Sequence, residues 1–210
     1  MHLRAALPIK KGEEITISYG TGHLPQAHRQ KMLLQIYKFR CSCLPCLSPN
    51  PNESDDARLM VESVTMANKC GDDSALRNWL TDATKADDLI LVECTYFIRT
   101  LDRERYYNHC VWVVWYQRLV KAYCALEDEE NARKWASKAA KLHKAYALTD
   151  GGWDAVAKDP RSTDWWGLRV KNGVRIVPNL DEVNVEKVIA PTDELRPGDQ
   201  VVTTIQGSRL

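Results

Sequence analysis

Three cysteines within six residues, Cys41-Ser42-Cys43-Leu44-Pro45-Cys46, constrain this chain more than any other stretch. A tight turn between Cys43 and Cys46 can aim both sulfurs at one point, and the extended Cys41-Ser42-Cys43 step adds a third. Thiolates so arranged are good zinc ligands, which makes Cys41, Cys43 and Cys46 the candidate metal residues. A structural zinc normally takes four ligands, and no fourth cysteine follows at suitable spacing. His23, His28 and Cys70 qualify by type but not by spacing. A metal-free thiol cluster is the alternative.

The remaining cysteines set the compartment. The chain has seven, an odd number, and Cys70, Cys94, Cys110 and Cys124 fall among helix-patterned residues. That spread reads as reduced thiols rather than a disulfide framework. No run approaches the roughly 18 apolar residues of a membrane span, and the first residues are too short in their apolar part for a secretory signal. The expectation is an intracellular protein of cytoplasm or nucleus, off the membrane. A net charge of +1 over 210 residues gives no electrostatic footprint for direct nucleic-acid binding.

Around the cysteines the text changes character. His2 to Ile9 reads as a strand end leading into the Lys10-Lys11-Gly12 turn, and Glu14 to Tyr19 alternates with β-branched residues as a half-buried strand does. Two such strands cannot make a stable sheet alone. Pro25 can open a helix with Met32, Leu33, Ile36 and Tyr37 at helical spacing. Residues 49–56, rich in proline and polar groups, read as a linker. Helical stripes follow: Met60, Val64 and Ala67; Leu76, Trp79 and Leu80 behind Ser74; Ile90, Cys94, Phe97 and Leu101 between about Asp87 and Asp102. Two longer ones carry Trp112 to Leu126 and, from Glu129 to Leu148, Ala132, Ala136 and Ala139. This last pair, with small residues on its second helix, resembles a tetratricopeptide-type hairpin, though no clean 34-residue repeat is present. An irregular bundle is the other reading. Trp153, Trp165 and Trp166 are expected to pack onto the helices, and residues 169–210 read as an irregular, β-like tail.

Taken alone, Tyr19 is a strand-end tyrosine and Phe39 a core aromatic. In context they match something more specific. Ile9-Lys-Lys-Gly-Glu-Glu-Ile-Thr-Ile-Ser-Tyr19 resembles the closing motif of SET domains, and Tyr37-Lys-Phe-Arg-Cys-Ser-Cys-Leu-Pro-Cys46 resembles the post-SET zinc segment that follows it. Together they are most similar to the SET and MYND branch and to fungal SET-domain proteins, where a polar helix carrying an arginine, here around Arg29, joins the two motifs. The stretch Asp159-Pro-Arg-Ser-Thr-Asp-Trp-Trp-Gly167 resembles the tail of fungal members.

The resemblance implies S-adenosylmethionine-dependent methylation of lysine on a protein substrate. It implies Tyr19 as the catalytic, cofactor-side tyrosine that aligns the substrate amine, a positioning role. It implies Phe39 as the aromatic against the cofactor adenine, and Cys41, Cys43 and Cys46 as zinc ligands. It also implies earlier strands, a glycine-rich cofactor motif and an Asn-His-x-x-x-Pro-Asn-like segment, none of which this sequence contains. The expected organisation is therefore mainly α. Residues 1–48 form a short β remnant of a SET fold with its cysteine-rich segment, 49–56 a linker, and 57–168 a tetratricopeptide-like helical domain. The expected function is that of the C-terminal part of a SET protein, inactive alone. The alternative is a non-catalytic zinc-binding protein that meets a protein partner through its helical domain.

Overall fold

In the computed structural model, the structure describes residues 9–12, 17, 19–67, 72–147 and 149–171. Among these there is no β-strand. Lys11 and Gly12 form a turn, with Gly12 at φ 85°, but Ile17 and Tyr19 run outside any sheet. Residues 1–8, 13–16 and 18, which carry most of the two expected strands, lie outside the described residues. So do Cys70 and the tail from residue 172.

Helix α1 spans Gln26–Tyr37 with Pro25 at its N-cap. Its expected apolar stripe is only partly used. Leu33 is buried with Arg29, whereas Ile36 and Tyr37 are exposed. The helix is held by what its polar residues reach. Lys38, at φ 62°, caps it in the left-handed conformation, which ends the helix and turns the chain toward the cysteines. A 3-10 turn at Leu44–Cys46 follows.

Helix α2 runs Pro51–Ala67, six residues earlier than the Ala57 start expected from the sequence. Proline is pre-organised for the first helical position, where its missing N–H costs nothing, so Pro51 opens the helix instead of marking a connector. The last residues of the expected 49–56 linker are thus helical, and one of them, Ser54, is buried. Helices α3 (Ser74–Thr81), α4 (Leu89–Arg103), α5 (His109–Ala125) and α6 (Glu129–Ala147) come next. Their bounds lie close to those read from periodicity.

Helix α5 is the centre of the body, because apolar residues occupy nearly its whole circumference. Val111 to Trp115, Leu119, Val120 and Ala122 to Leu126 are all buried. Phe97 of α4 stacks on Trp115 with centroids 4.2 Å apart. On the other side α6 turns back after Leu126-Glu127-Asp128 and presents Ala132, Ala136, Ala139 and Ala140, all buried, which lets the two backbones approach closely. Three core indoles find acceptors: Trp79 donates to Ala86 O at 2.9 Å, Trp112 to Tyr106 O at 2.7 Å and Trp115 to Thr65 Oγ1 at 3.0 Å.

Helices α7 (Trp153–Lys158) and α8 (Leu168–Lys171) close the body, and Trp153, Trp165 and Trp166 pack on its core as expected. The body does not stop at residue 168. Arg169, fully buried at 0% exposure, donates to Asp87 Oδ1 at 3.2 Å, Asp82 O at 2.9 Å, Lys85 O at 2.5 Å and the carbonyl of Trp79. It satisfies the C-terminal end of α3 and the connection to α4 together. Where described, the start of the expected β-like tail is helical.

Cys41, Cys43, Cys46, Cys94, Cys110 and Cys124 are all free thiols. Among the described residues no helix is long and apolar enough to cross a membrane.

Candidate metal centre and aromatic wall

The chain from Cys41 to Cys46 folds against α1 because two glutamines of that helix clasp its backbone. Gln30 accepts from Cys41 N at 3.0 Å and donates to Cys41 O at 2.7 Å. One turn earlier, Gln26 Nε2 donates to Cys46 O at 3.0 Å. The loop closes on itself through Cys46 N and Leu47 N, which donate to Cys43 O at 2.9 and 3.0 Å. The three sulfurs of Cys41, Cys43 and Cys46 then lie within 4.8 Å of one another.

Arg29 sits beneath this cluster, buried. Its guanidinium donates to Asp55 Oδ1 at 2.9 Å and to Leu24 O at 2.6 Å, and reaches Cys46 Sγ at 3.9 Å. Asp55, in the first turns of α2, also accepts from Gln26 N at 2.7 Å, at the start of α1. A buried charge needs such partners. Here one arginine ties the thiol loop, α1 and α2 together and places positive charge where thiolates would carry negative charge.

Burial acts to raise the Cys41 thiol, but hydrogen bonds from Cys43 and Cys46 and the charge of Arg29 outweigh it, and the net shift is downward. Cys43 is pushed up to about 12, first by burial of its sulfur and then by the neighbouring thiols. Three clustered thiols resist simultaneous ionisation without a cation among them. A zinc ion bonds sulfur at about 2.3 Å, so sulfurs sharing one ion stand about 4 Å apart, which the 4.8 Å bound on these sulfurs admits. The donor set fits zinc, with Cys41, Cys43 and Cys46 as the residues that would hold it and a structural role as its chemistry. His23 and His28, the other described candidates, are exposed, and neither joins the three thiols in a ligand group among the described residues.

Phe39, two residues before Cys41, belongs to a group of three aromatic rings. Tyr19 packs on Phe39 with centroids 5.3 Å apart and on Tyr37 at 4.6 Å. The structure thus brings the two expected cofactor-side residues together and adds Tyr37, which the sequence reading had placed in the stripe of α1. Tyr37 sits one residue before the left-handed cap Lys38, a turn that a lysine does not announce in the sequence. The trio forms a wall rather than an enclosure: Tyr19 is 39% and Tyr37 49% exposed. By themselves the described residues do not enclose a nucleoside cofactor, and no methyl-transfer step is derived from them.

This segment joins the helical body through α2. Arg58 donates to Gly22 O at 3.0 Å and to Glu104 O at 2.7 Å, while the Glu104 carboxylate accepts from Ser54 Oγ. Gly22 has to be glycine for this approach, since a Cβ there would stand 2.5 Å from the Tyr106 ring.

Comparison with known proteins adds a partial match. A stretch of 64 residues, 30% of this chain, is 38% identical to a SET domain-containing protein from Dictyostelium discoideum. It covers 16% of that protein. No family model and no solved structure matches the chain. Over that stretch, the chain is similar to a SET domain-containing protein.

Proposed function

We propose that this chain is part of a SET-type protein-lysine methyltransferase, in which residues 9–47 supply the tyrosine, the adenine-side aromatic and the zinc segment of the site. Tyr19 would align the substrate amine, Phe39 would face the cofactor adenine, and Cys41, Cys43 and Cys46 would hold zinc. The observation that carries this reading is the packing of Tyr19 on Phe39, a residue that lies two positions before the first thiol of a three-cysteine cluster. The partial match to a SET domain-containing protein supports it. In this reading the α5–α6 hairpin, with its alanine face, is a tetratricopeptide-like unit that offers a surface to a protein partner inside the cell. The second reading is a zinc-binding interaction protein without catalysis, favoured by the openness of the aromatic wall.

A direct test checks the expectations that both readings share, and methyl transfer in it would exclude the non-catalytic reading. The purified chain is incubated with radiolabelled S-adenosylmethionine and histones or a cell lysate, and its zinc content is measured in parallel. We expect no methyl transfer by these residues alone, with zinc bound at or below one per chain and readily stripped by a weak chelator, as befits three protein ligands. Methyl transfer by the purified chain would overturn the first expectation, and zinc that resists the chelator would overturn the second.

A further inference from the structure

We propose that Cys43 and Cys46 are a disulfide-forming pair oxidised by small hydroperoxides, with Cys41 left as the free thiol. The proposal goes beyond the zinc reading and stands without it.

Three observations carry it. The first is the backbone between the two cysteines. Cys46 N donates to Cys43 O at 2.9 Å across the 3-10 turn, a reversal that holds the Cα atoms of residues three apart under about 7 Å. That falls in the range of about 4.4 to 6.8 Å at which disulfides close without moving the main chain. The second is placement. Cys43 is an exposed residue with its sulfur partly shielded, and Cys46 is buried, so the pair opens to solvent from the Cys43 side. The third is the restraint on Cys41, whose N–H and C=O are both held by Gln30. A link from Cys41 to Cys43 would also close a small, strained ring across one intervening residue.

The chemistry balances with hydroperoxide as oxidant. One sulfur of the pair attacks the peroxide O–O bond, forms an S–O bond and releases water from hydrogen peroxide or the alcohol from an alkyl hydroperoxide. The second sulfur attacks that sulfenic acid, forms the S–S bond and releases another water. Two thiols are oxidised and one peroxide is reduced. Where zinc is bound, closure withdraws two of its three protein ligands, so the ion leaves with the oxidation.

The test uses the full chain, metal-free and zinc-loaded, treated with equimolar hydrogen peroxide and then alkylated after denaturation. Fragment mass mapping should show a loss of two hydrogens linking Cys43 to Cys46, with Cys41 alkylated and the link reversed by dithiothreitol. In the loaded chain a colorimetric chelator should register zinc in step with the link. Cys41→Ser should retain the link and Cys46→Ser should lose it. A link from Cys41 to Cys46 or to Cys43 would overturn the assignment. So would full alkylation of all three thiols while the exposed Cys110 is oxidised. The metal-free arm reads the link even in a chain that binds no zinc, so failure of the metal reading is told apart from failure of this one.

Discussion

Residues 19–47 and the helical body are built on opposite principles. The body, from α2 to α8, has an interior of tryptophan, leucine, valine and alanine around α5, and its polar bonds finish what apolar burial began. In the segment the order is reversed. Leu33 is the buried apolar residue of α1, and the inward-facing work falls to Gln26, Arg29 and Gln30. Of twelve large hydrophobics exposed among the described residues, eight lie between Ile9 and Leu47. A region that keeps its apolar groups outside and its polar groups inside does not gain its stability from removing apolar surface from water. Its order depends on a small number of bonds: one arginine, two glutamines and three thiols, with whatever joins the thiols.

The sharpest way to break this contrast is to damage the body at its most enclosed polar residue. Arg169→Ala leaves the buried Asp87 and three carbonyls, that of Trp79 buried and those of Asp82 and Lys85 part-buried, without their donor. Removing one partner of a buried ion pair costs about 3–5 kcal/mol. Urea unfolding followed by tryptophan fluorescence should show that loss as a shift of the whole transition. Second in size is Asp55→Ala, which removes the acceptor of both Arg29 and Gln26 N. A charged hydrogen bond contributes about 1.5–3 kcal/mol, and the loss should be local: faster hydrogen exchange across residues 24–47, little change in the urea midpoint of the body. If Asp55→Ala instead lowers that midpoint as far as Arg169→Ala does, the two regions are one cooperative unit and the contrast fails.

The smallest effect lies inside the body, where His109 stacks on Tyr146 and meets His143 edge-on. Burial first, then the charge of His143, holds His109 below its ordinary value of 6.5. The unfolded chain therefore takes up the proton first as pH falls. Stability present above pH 6.5 is lost as pH drops through the lowered folded value. His109→Gln should flatten the thermal-midpoint profile below pH 6.5. An unchanged profile would remove His109 from the body's acid sensitivity.

How much of this was legible in the sequence follows the same divide. In the body, apolar period and burial coincide, so α4, α5 and α6 could be read closely from Cys94, Trp115 and the alanines of the last stripe. In the segment they do not coincide. The stripe Met32, Leu33, Ile36, Tyr37 pointed to one face of α1, whereas its binding face is set by Arg29 and the glutamines, residues whose partners are distant in sequence and carry no periodic signal. The three cysteines were legible by spacing alone. Asp55 was not, because Pro49, Pro51 and the surrounding polar residues look like a connector. The overlooked cue was Pro51 itself as a first helical residue.

That early helix start has a consequence for how much change the molecule tolerates. Asp55 and Arg58 are one turn apart on α2, the first holding the thiol loop and the second holding Gly22 and the turn at Glu104. Their spacing works as a ruler. A single residue inserted between them would rotate one grip by about 100° relative to the other, so both could not close at once. A helix that reads as spacer text is therefore the stretch least free to change its length, however freely its exposed letters vary.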